Sequence, residues 1–507
     1  MNVGAAPERG LALRHERTIA KPGPGLKADL FRGPSAALRQ SLAVAFCRWV
    51  ILGGLGSSAV LAHPIAIDTP AHLKSLDAAR PGDVVTLKNG NWMDARIVIN
   101  KGGSPGKPVE IRAESPGGVI LGGASSLVIN APYVTVDGLL FYQGALTEGS
   151  VIQFNSHHGI VHSSAVIDYN PATSSTRYYW VFFSGDSNLI DQCYFQGKNH
   201  LDPVVGNAIE ASRHNSVTRS YFKDIPFAAA NGREIFRIWG SGKFDERPDD
   251  GAYFNIESNL FDHADGEGTE VISLKSNRNQ VVHNTIMATR GGINIRRGDF
   301  NLIKDNVILA QGVGGAYGLR MSGQHNIVQG NYVSGCDYGI RVACGEFIEG
   351  NLTNSYRPDI KGRGKGMVVA TYPQVKDLTL TGNTIVGSIG PDLEMGSSYK
   401  KHWPESQQVL LPEECVIKNN RFVRAKGGAS VVGTIADTAP PLDRFHFKSN
   451  LYEGNLLVGG TVGFAPAADG CKTSPFPGNW SEAQEVQKLK PLTPADVGPD
   501  WVRKKSL

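Results

Sequence analysis

Apolar and polar residues alternate in short runs along this chain, and four of the runs carry a cation. These runs are residues 271–275, 292–296, 318–321 and 339–342, with gaps of 21, 24 and 21 residues between their cations. Such regular gaps are typical of successive coils of a solenoid. Alternation then points one set of side chains inward: Ile272, Leu274, Ile293, Ile295, Leu319, Met321, Ile340 and Val342. The four cations point outward and form a ladder with rungs about 4.8 Å apart: Lys275, Arg296, Arg320 and Arg341. A ladder of this kind suits an anionic polymer lying along it.

A second repeat places an asparagine before a pair of apolar residues. Asn259, Asn284, Asn306 and Asn331 follow each other at gaps of 25, 22 and 25 residues. Asparagine suits a bend because its amide bonds neighbouring backbone and because it tolerates a positive φ. A propeller has a longer repeat, of about 40 residues or more. We therefore predict an all-β chain, a single-stranded right-handed parallel β-helix over residues 63–455, with an irregular C-terminal cap or tail over 456–507.

Charge and hydropathy restrict the partners and the location. Residues 1–62 hold eight Lys and Arg against three Asp and Glu, which leaves 43 basic and 44 acidic residues in the rest. A near-neutral chain is a poor general binder of nucleic acid, so a polyanion site must be local. Arg39 precedes an apolar run that ends in small residues at Ala62, as in a signal peptide. We expect export to the periplasm or the medium, with no membrane attachment after cleavage; Arg48 inside the run disfavours an uncleaved anchor.

Five cysteines follow residue 62, and their odd number and scatter indicate neither a metal site nor a disulfide framework. We expect buried thiols. Cys336 and Cys344 are close enough in sequence to pair across a turn, and the sequence leaves that pairing open.

The densest polar stretch is residues 265–276. Two carboxylates precede a strand whose outward face ends in Lys275, and Arg296 follows one coil later. A lysine can act as a base when its pKa falls from about 10.4, and a neighbouring arginine lowers that pKa. Asn231 and Glu234 stand roughly one coil earlier. Acidic and basic groups are therefore expected to converge on adjacent coils.

This arrangement resembles polysaccharide lyase family 6, which contains alginate lyases and the dermatan-cleaving chondroitinase B. The matching segments occur in the expected order over about 170 residues: 197–200, 231–237, 265–276, 294–298, 318–320 and 366–370. The family cleaves uronate-containing polysaccharides by β-elimination. The resemblance implies that Lys275 removes the C5 proton, and that Arg296 stabilises the developing charge or protonates the departing O4. Arginine is a reluctant acid, with a pKa above about 12.

The resemblance also implies a calcium site, because many family members hold Ca²⁺ with one Asn and two Glu in a Glu-x-Glu pattern. Asn231 matches the first ligand, and Glu267 and Glu270 are the candidates for the others. Two residues separate these glutamates, which in an extended strand turns their side chains to opposite faces. A bulge at Gly268 restores convergence, and oxygen ligands then suit calcium. Without that site, cationic side chains neutralise the substrate carboxylate instead.

Five more residues are expected to contact the anionic polysaccharide: Lys198, His200, Arg237, Arg320 and Arg341. Arginine binds carboxylates through two parallel hydrogen bonds, so arginines on successive coils can hold successive uronates. For each cation the alternative is a solvated or locally paired surface group, and for Arg341 the sequence does not separate the two.

Other functions explain less of the sequence. A non-catalytic carbohydrate-binding β-helix accounts for the export signal and the ladder, but not for the cluster of lysine, arginine and carboxylates. A glycoside hydrolase needs two carboxylates at a defined separation and no lysine base, and a mannuronan epimerase is expected to carry an Asp-Pro-His signature. The prediction is therefore an exported alginate lyase, with a dermatan sulfate or chondroitin lyase of the same family as the alternative.

Overall fold

The computed structural model describes residues 65–209, 212–240, 251–347, 372–399, 407–433 and 450–505. The described residues belong to one compact unit. The expected signal segment, 1–62, and the matching segment 366–370 lie outside them. Among the helices that the structure describes, none is long and apolar enough to span a membrane.

The predicted parallel β-helix is confirmed. Within the described residues, three parallel sheets have 14, 14 and 13 strands, and successive strands of the chain join the sheets in rotation, so one coil adds one strand to each. The first sheet contains Ile65–Ile67, Val84–Leu87, Val109–Ala113, Val134–Asp137, Ile160–His162, Leu189–Asp191, Ser216–Thr218, Asn255–Glu257, Gln280–Val282, Leu302–Lys304, Ile327–Gln329, Thr379–Thr381, Val416–Lys418 and Leu451–Glu453.

The second sheet follows the first in each coil. It contains Gly90–Met93, Val119–Gly122, Leu139–Tyr142, Ala165–Ile167, Tyr194–Gln196, Tyr221–Ile225, Leu260–Ala264, Thr285–Met287, Val307–Leu309, Tyr332–Ser334, Thr384–Val386, Arg421–Val423, Asn455–Val458 and Cys471–Ser474. The strands thus continue beyond residue 455, as far as Ser474.

The third sheet, here called the groove sheet, completes each coil. It contains Arg96–Ile99, Ser126–Ile129, Ser150–Phe154, Tyr179–Phe183, Val205–Asn207, Phe236–Trp239, Glu270–Lys275, Gly291–Arg297, Ala316–Met321, Tyr338–Ala343, Leu393–Ser397, Ala429–Gly433 and Thr461–Val462. Gly345–Phe347 and Gln407–Leu410 form a separate antiparallel pair.

Apolar residues from all three sheets fill the interior of the coil. The eight residues expected to point inward are at most 3% exposed. Burying apolar side chains at this repeat stabilises each coil against its neighbours, since a single coil has no core of its own. All five described cysteines are free, four of them buried, so Cys336 and Cys344 do not pair.

The predicted asparagine repeat forms a buried ladder at the bend before the second sheet. The Asn284 side chain donates to Asn306 Oδ1 at 3.0 Å, and the Asn306 side chain donates to Asn331 Oδ1 at 2.9 Å. Each amide also bonds backbone, as expected; Asn306 donates to the carbonyl of Val281 at 2.8 Å. The positive φ, however, belongs to the preceding residue, for example 51° at Asp305. The asparagine is therefore selected for its amide and not for a left-handed backbone.

The C-terminal tail turns back along the outer face of the second sheet. It contains two short helices, Glu482–Leu489 and Asp500–Lys505. Its Trp501 indole donates to the carbonyl of Ser163 at 2.8 Å. Apolar tail residues cover the outward side chains of the second sheet in two clusters, so the tail ties coils near both ends of the β-helix together.

Candidate active site

A groove of about 670 Å³ lies on the outer face of the groove sheet. Six of the ten side chains that the sequence singled out line it: Asn231, Glu267, Glu270, Arg296, Arg320 and Arg341. The sequence positions them because residues with outward side chains on neighbouring strands are aligned by the parallel register. The groove therefore combines carboxylates with several guanidinium groups.

Strand pairing places Arg320 and Arg341 in one outward column. Arg320 pairs with Asn294 on one side and with Arg341 on the other, and Asn294 pairs with Ser273. Ser273 in turn pairs with Arg237 on the preceding coil. The groove sheet thus presents, coil by coil, an outward column of Arg, Ser, Asn, Arg and Arg.

Lys275 and Arg296 lie outside this column, so the prediction of a single four-cation ladder is wrong. Both follow the second inward residue of their strands, whereas Arg320 follows the first. A register shift after Leu274 also pairs Lys275 with Arg297 in place of Arg296. The two residues that the family resemblance assigns to catalysis therefore stand beside this outward column and not within it.

Three carboxylates converge at the start of the strand Glu270–Lys275. Oxygens of Glu234, Glu267 and Glu270 all lie within 4.8 Å of one another. Glu267 and Glu270 thus converge despite their spacing, which is the outcome expected if a bulge forms at Gly268. Gly268 supplies the turn, with a φ of +78°, and a register shift follows Glu270. Burial, and then the charges of its two partners, raise the pKa of Glu267.

Lys275 is buried beside this cluster, with 6% of its side chain exposed. Its ammonium donates to Glu234 Oε1 at 3.1 Å and lies 4.9 Å from the centre of the Trp239 ring. Burial lowers the pKa of Lys275 below its ordinary value, Glu234 and Glu270 oppose this effect, and Arg296 adds to it. A lysine with a lowered pKa is more often neutral at neutral pH, which a base requires.

Arg296 and Arg320 share one aromatic partner. Their guanidinium carbons lie 5.2 Å and 4.8 Å from the centre of the Tyr372 ring, which also lines the groove. Arg296 is a quarter exposed and lies 4.0 Å from Glu270. Arginine stacks well on aromatic faces, so Tyr372 fixes the two guanidinium planes while leaving their edges for carboxylate groups.

Lys198 and His200 are buried away from the groove, at 2% and 0% exposure. The Lys198 ammonium donates to the carbonyl oxygens of His200 at 2.8 Å, Leu201 at 3.2 Å and Asp202 at 2.6 Å. Burial lowers the pKa of Lys198 well below its ordinary value and that of His200 to about 3. The expectation that these two side chains contact substrate is corrected: they hold a loop together from inside.

Arg237 lies in the outward column but is already engaged. Its guanidinium is 3.3 Å from Asp202 and 3.6 Å from Glu234, and 12% of its side chain is exposed. It also donates to the hydroxyl of Tyr179 at 3.3 Å. Its contact with substrate stays a prediction, whereas its contact with Glu234 ties the outward column to the carboxylate cluster.

Sequence reasoning missed several groups of the site. Glu234 lies about one coil before Lys275 in the sequence, and the motifs assign it no role. A carboxylate one coil away from a candidate base is the sequence feature that points to it. Tyr372 is distant in sequence from the arginines that it contacts. Arg290 and Phe227 both line the groove, with the guanidinium 4.5 Å from the ring centre; no motif marks either residue.

The carboxylate cluster fits a hard divalent cation. Ca²⁺ binds oxygens at about 2.3 to 2.6 Å, so two ligands of one ion lie at most about 5 Å apart. In the described part of the chain, Glu234 Oε2 and Glu270 Oε2 are buried and accept no hydrogen bond. Asn231 lines the same groove. Buried carboxylate oxygens require a cation or a proton. Lys275, Arg237 and Arg296 lie 3.1 to 4.0 Å from the cluster, yet two of its oxygens still accept no hydrogen bond.

Comparison with known proteins identifies a family model and solved structures that this chain resembles. The family model described as Chondroitinase B matches residues 70–456. A PL6 family polysaccharide lyase from Pseudopedobacter saltans is 40% identical, with a TM-score of 0.77, over 86% of this chain and 99% of that one. The PL6 family alginate lyase AlyGC is 24% identical, with a TM-score of 0.70, over 87% and 59%. A mannuronic acid specific family 6 lyase from human gut microbiota is 23% identical, with a TM-score of 0.72, over 87% and 97%. No curated protein sequence matches this chain significantly.

Proposed function

The chain belongs to polysaccharide lyase family 6, and from this premise we propose that it cleaves alginate by β-elimination. Lys275 is the base and Arg296 assists the leaving group. The observation that carries this proposal is the buried Lys275–Glu234 pair beside a groove lined with arginines. A polyuronate needs cationic contacts along its length and a base of lowered pKa at one point.

In the proposed reaction, the neutral amine of Lys275 takes the proton from C5 of a uronate. The electrons of the C5–H bond form the C4–C5 double bond while the C4–O4 bond breaks. O4 leaves with the bonding pair and gains a proton. Burial favours the neutral amine before the reaction, and Glu234 at 3.1 Å stabilises the ammonium afterwards.

Arg296 faces the groove from the strand next to that of Lys275. Its partial exposure and its position over Tyr372 support a contact with the reacting sugar. Guanidinium groups stabilise developing oxyanions well and give up protons poorly. We therefore assign Arg296 to charge stabilisation at the carboxylate or at O4, with the O4 proton arriving from solvent or through this residue.

We infer that calcium binds at Glu234, Glu267 and Glu270, with Asn231 as a further ligand. Glu234 extends the set implied by the family resemblance. A bound divalent cation would neutralise the C5 carboxylate and so acidify the C5 proton. The three converging carboxylates and their unsatisfied oxygens support this inference.

Alginate is favoured as substrate because every sugar of this polymer carries a carboxylate. Arg320 stacks on Tyr372 beside Arg296, so the two guanidinium groups suit carboxylates on neighbouring sugars. A dermatan sulfate or chondroitin lyase is the second candidate, since the matching family model is described by that activity. The apolar run before Ala62 supports export to the periplasm or the medium.

The proposal is tested by mixing the purified protein with alginate, dermatan sulfate and polygalacturonate and following the ultraviolet absorbance of the unsaturated product. We expect product from alginate and loss of activity in a chelator, restored by calcium. Absorbance from dermatan sulfate alone would reassign the substrate, and full activity in chelator would remove calcium. No product from any of the three polymers would overturn the proposed reaction.

A matched pair of lysine variants tests the base. Lys275→Ala is expected to lower turnover by about 100-fold or more, whereas Lys223→Ala, on the second sheet and paired with Asp224, should retain full activity. Thermal unfolding followed by circular dichroism controls for folding. Substantial turnover in folded Lys275→Ala would show that another group removes the proton.

A further inference from the structure

We propose that Glu394 closes one end of the groove by pairing with Arg341, and that this pair limits the number of uronates that the groove binds. The inference rests on the proposed function, because it concerns how the same groove takes a polyuronate. It adds a specificity-determining residue that lies on the coil after Arg341 and that no motif in the sequence marks.

The outward column changes sign at this coil. Arg341 pairs along the sheet with Arg320 on one side and with Glu394 on the other. A column that continued to bind anions would have another cation or a neutral residue after Arg341. It has the carboxylate of Glu394 instead. After Glu394 the column continues with Val432, which offers no charge. The cationic part of the column therefore ends at Arg341.

The contact between the two side chains is direct and partly shielded. Arg341 Nε donates to Glu394 Oε2 at 2.9 Å, with 29% and 19% of the two side chains exposed. The guanidinium also lies 3.1 Å from the centre of the Tyr338 ring. Partial burial strengthens this charge-assisted bond relative to an exposed surface pair. Glu394 therefore takes one of the donors that Arg341 would offer to a substrate carboxylate and balances its charge.

Arg320 provides the contrast within the same column. Its guanidinium stacks on Tyr372, and among the described residues it has no carboxylate partner. A uronate at Arg320 therefore meets a guanidinium that pairs with no carboxylate of the described residues. A uronate one rung further on must displace Glu394 from Arg341 or lie beside a like charge, and both are unfavourable. The last strongly bound uronate in this direction is consequently the one at Arg320.

Alginate oligosaccharides of increasing length test this limit. Their affinity is measured by calorimetry in the Lys275→Ala background, which removes turnover, and their products are sized by chromatography with the active enzyme. In the wild-type groove, affinity should stop rising at a definite length. Glu394→Gln should move that plateau to oligosaccharides one sugar longer, tighten their binding about tenfold, and shift the product sizes.

Two further variants separate charge from packing. Glu394→Asp keeps the negative charge and should keep the wild-type plateau. Arg341→Ala combined with Glu394→Gln should cancel the gain, because the gain depends on a freed guanidinium. An unchanged plateau in Glu394→Gln, or a gain that persists without Arg341, overturns the inference while leaving the lyase proposal intact. Absence of both binding and cleavage in the wild type overturns the two together.

Discussion

Replacing Asn306 by leucine tests whether the buried amide ladder, and not apolar packing alone, holds the coils in register. The Asn306 side chain is fully buried. Its oxygen accepts from the backbone and the side chain of Asn284, each at 3.0 Å. Its nitrogen donates to the carbonyl of Val281 at 2.8 Å and to Asn331 at 2.9 Å. Leucine has a similar size and can replace none of these four bonds.

The cost follows from the partners that lose their bonds. The Asn284 side chain retains two backbone acceptors, and Asn331 Oδ1 still accepts from the backbone of Asn306. The Asn284 backbone donor loses its partner, whereas the Val281 carbonyl lies in a parallel pairing that still offers it a backbone donor. An unsatisfied buried polar group costs about 1 to 3 kcal/mol. We therefore expect Asn306→Leu to lower the free energy of unfolding by about 2 kcal/mol.

Chemical denaturation followed by circular dichroism measures this loss, and Asn155→Leu is the matched control. Asn155 donates to Asn130 at 2.9 Å in a similar amide contact between coils, but it is exposed to solvent. Water replaces its lost bonds, so this variant should lose less than about 1 kcal/mol. Equal losses in the two variants, or a loss below about 1 kcal/mol for Asn306→Leu, would refute the reasoning.

Three further predictions follow from contacts elsewhere in the molecule. A hydrogen bond to Asp137 raises the pKa of His162. This pair should therefore stabilise the fold below about pH 6.5 and lose its effect as pH rises through the raised pKa. His162→Gln should flatten that part of the stability–pH curve, and an unchanged curve would contradict the assignment. Deleting residues 475–505 uncovers the apolar outer face of the second sheet, so the truncated chain should melt earlier and bind a hydrophobic dye; an unchanged melting temperature would show that the tail is dispensable. The charge of Arg296 lowers the pKa of Lys275. Arg296→Gln should therefore move the acid limb of the pH–rate profile to higher pH, whereas Arg296→Lys should leave that limb in place. An unmoved acid limb in Arg296→Gln would show that Arg296 does not set the pKa of Lys275.

The fold was predictable because a solenoid repeats its local pattern. Alternation with a period of two gave the inward residues of the groove sheet, and the spacing of the asparagines gave the coil length. Both signals depend on residues close in sequence. The path of the tail along the second sheet was not predictable, since residues 475–505 show no period and contact strands more than 200 positions away, as Leu492 does at Thr285.

The site was predictable where it follows a motif and not where it depends on burial. The spacing of Glu267 and Glu270 already required a distortion, and the structure supplies it. Lys198 is a lysine in a segment that matches the family, which is what a surface cation of the site would also show. It is nevertheless buried. No local pattern separates a lysine that donates to backbone carbonyls inside a loop from one that faces solvent. Glu234 became part of the site only through its distance to Lys275.

The irregular strand that defeats simple alternation also accounts for the division of labour in the groove. Each strand here has two outward positions, one after each of its inward residues. The first position forms the column that ends in Arg320 and Arg341, and the second carries Lys275 and Arg296. Glu270 has the parity of the inward residues Ile272 and Leu274, and the register shift that follows it turns its side chain to the groove. A carboxylate and a lysine can then meet Glu234 from the preceding coil. Two of the three clustered carboxylates and the proposed base thus lie on or next to one strand, and Arg296 faces them from the next strand.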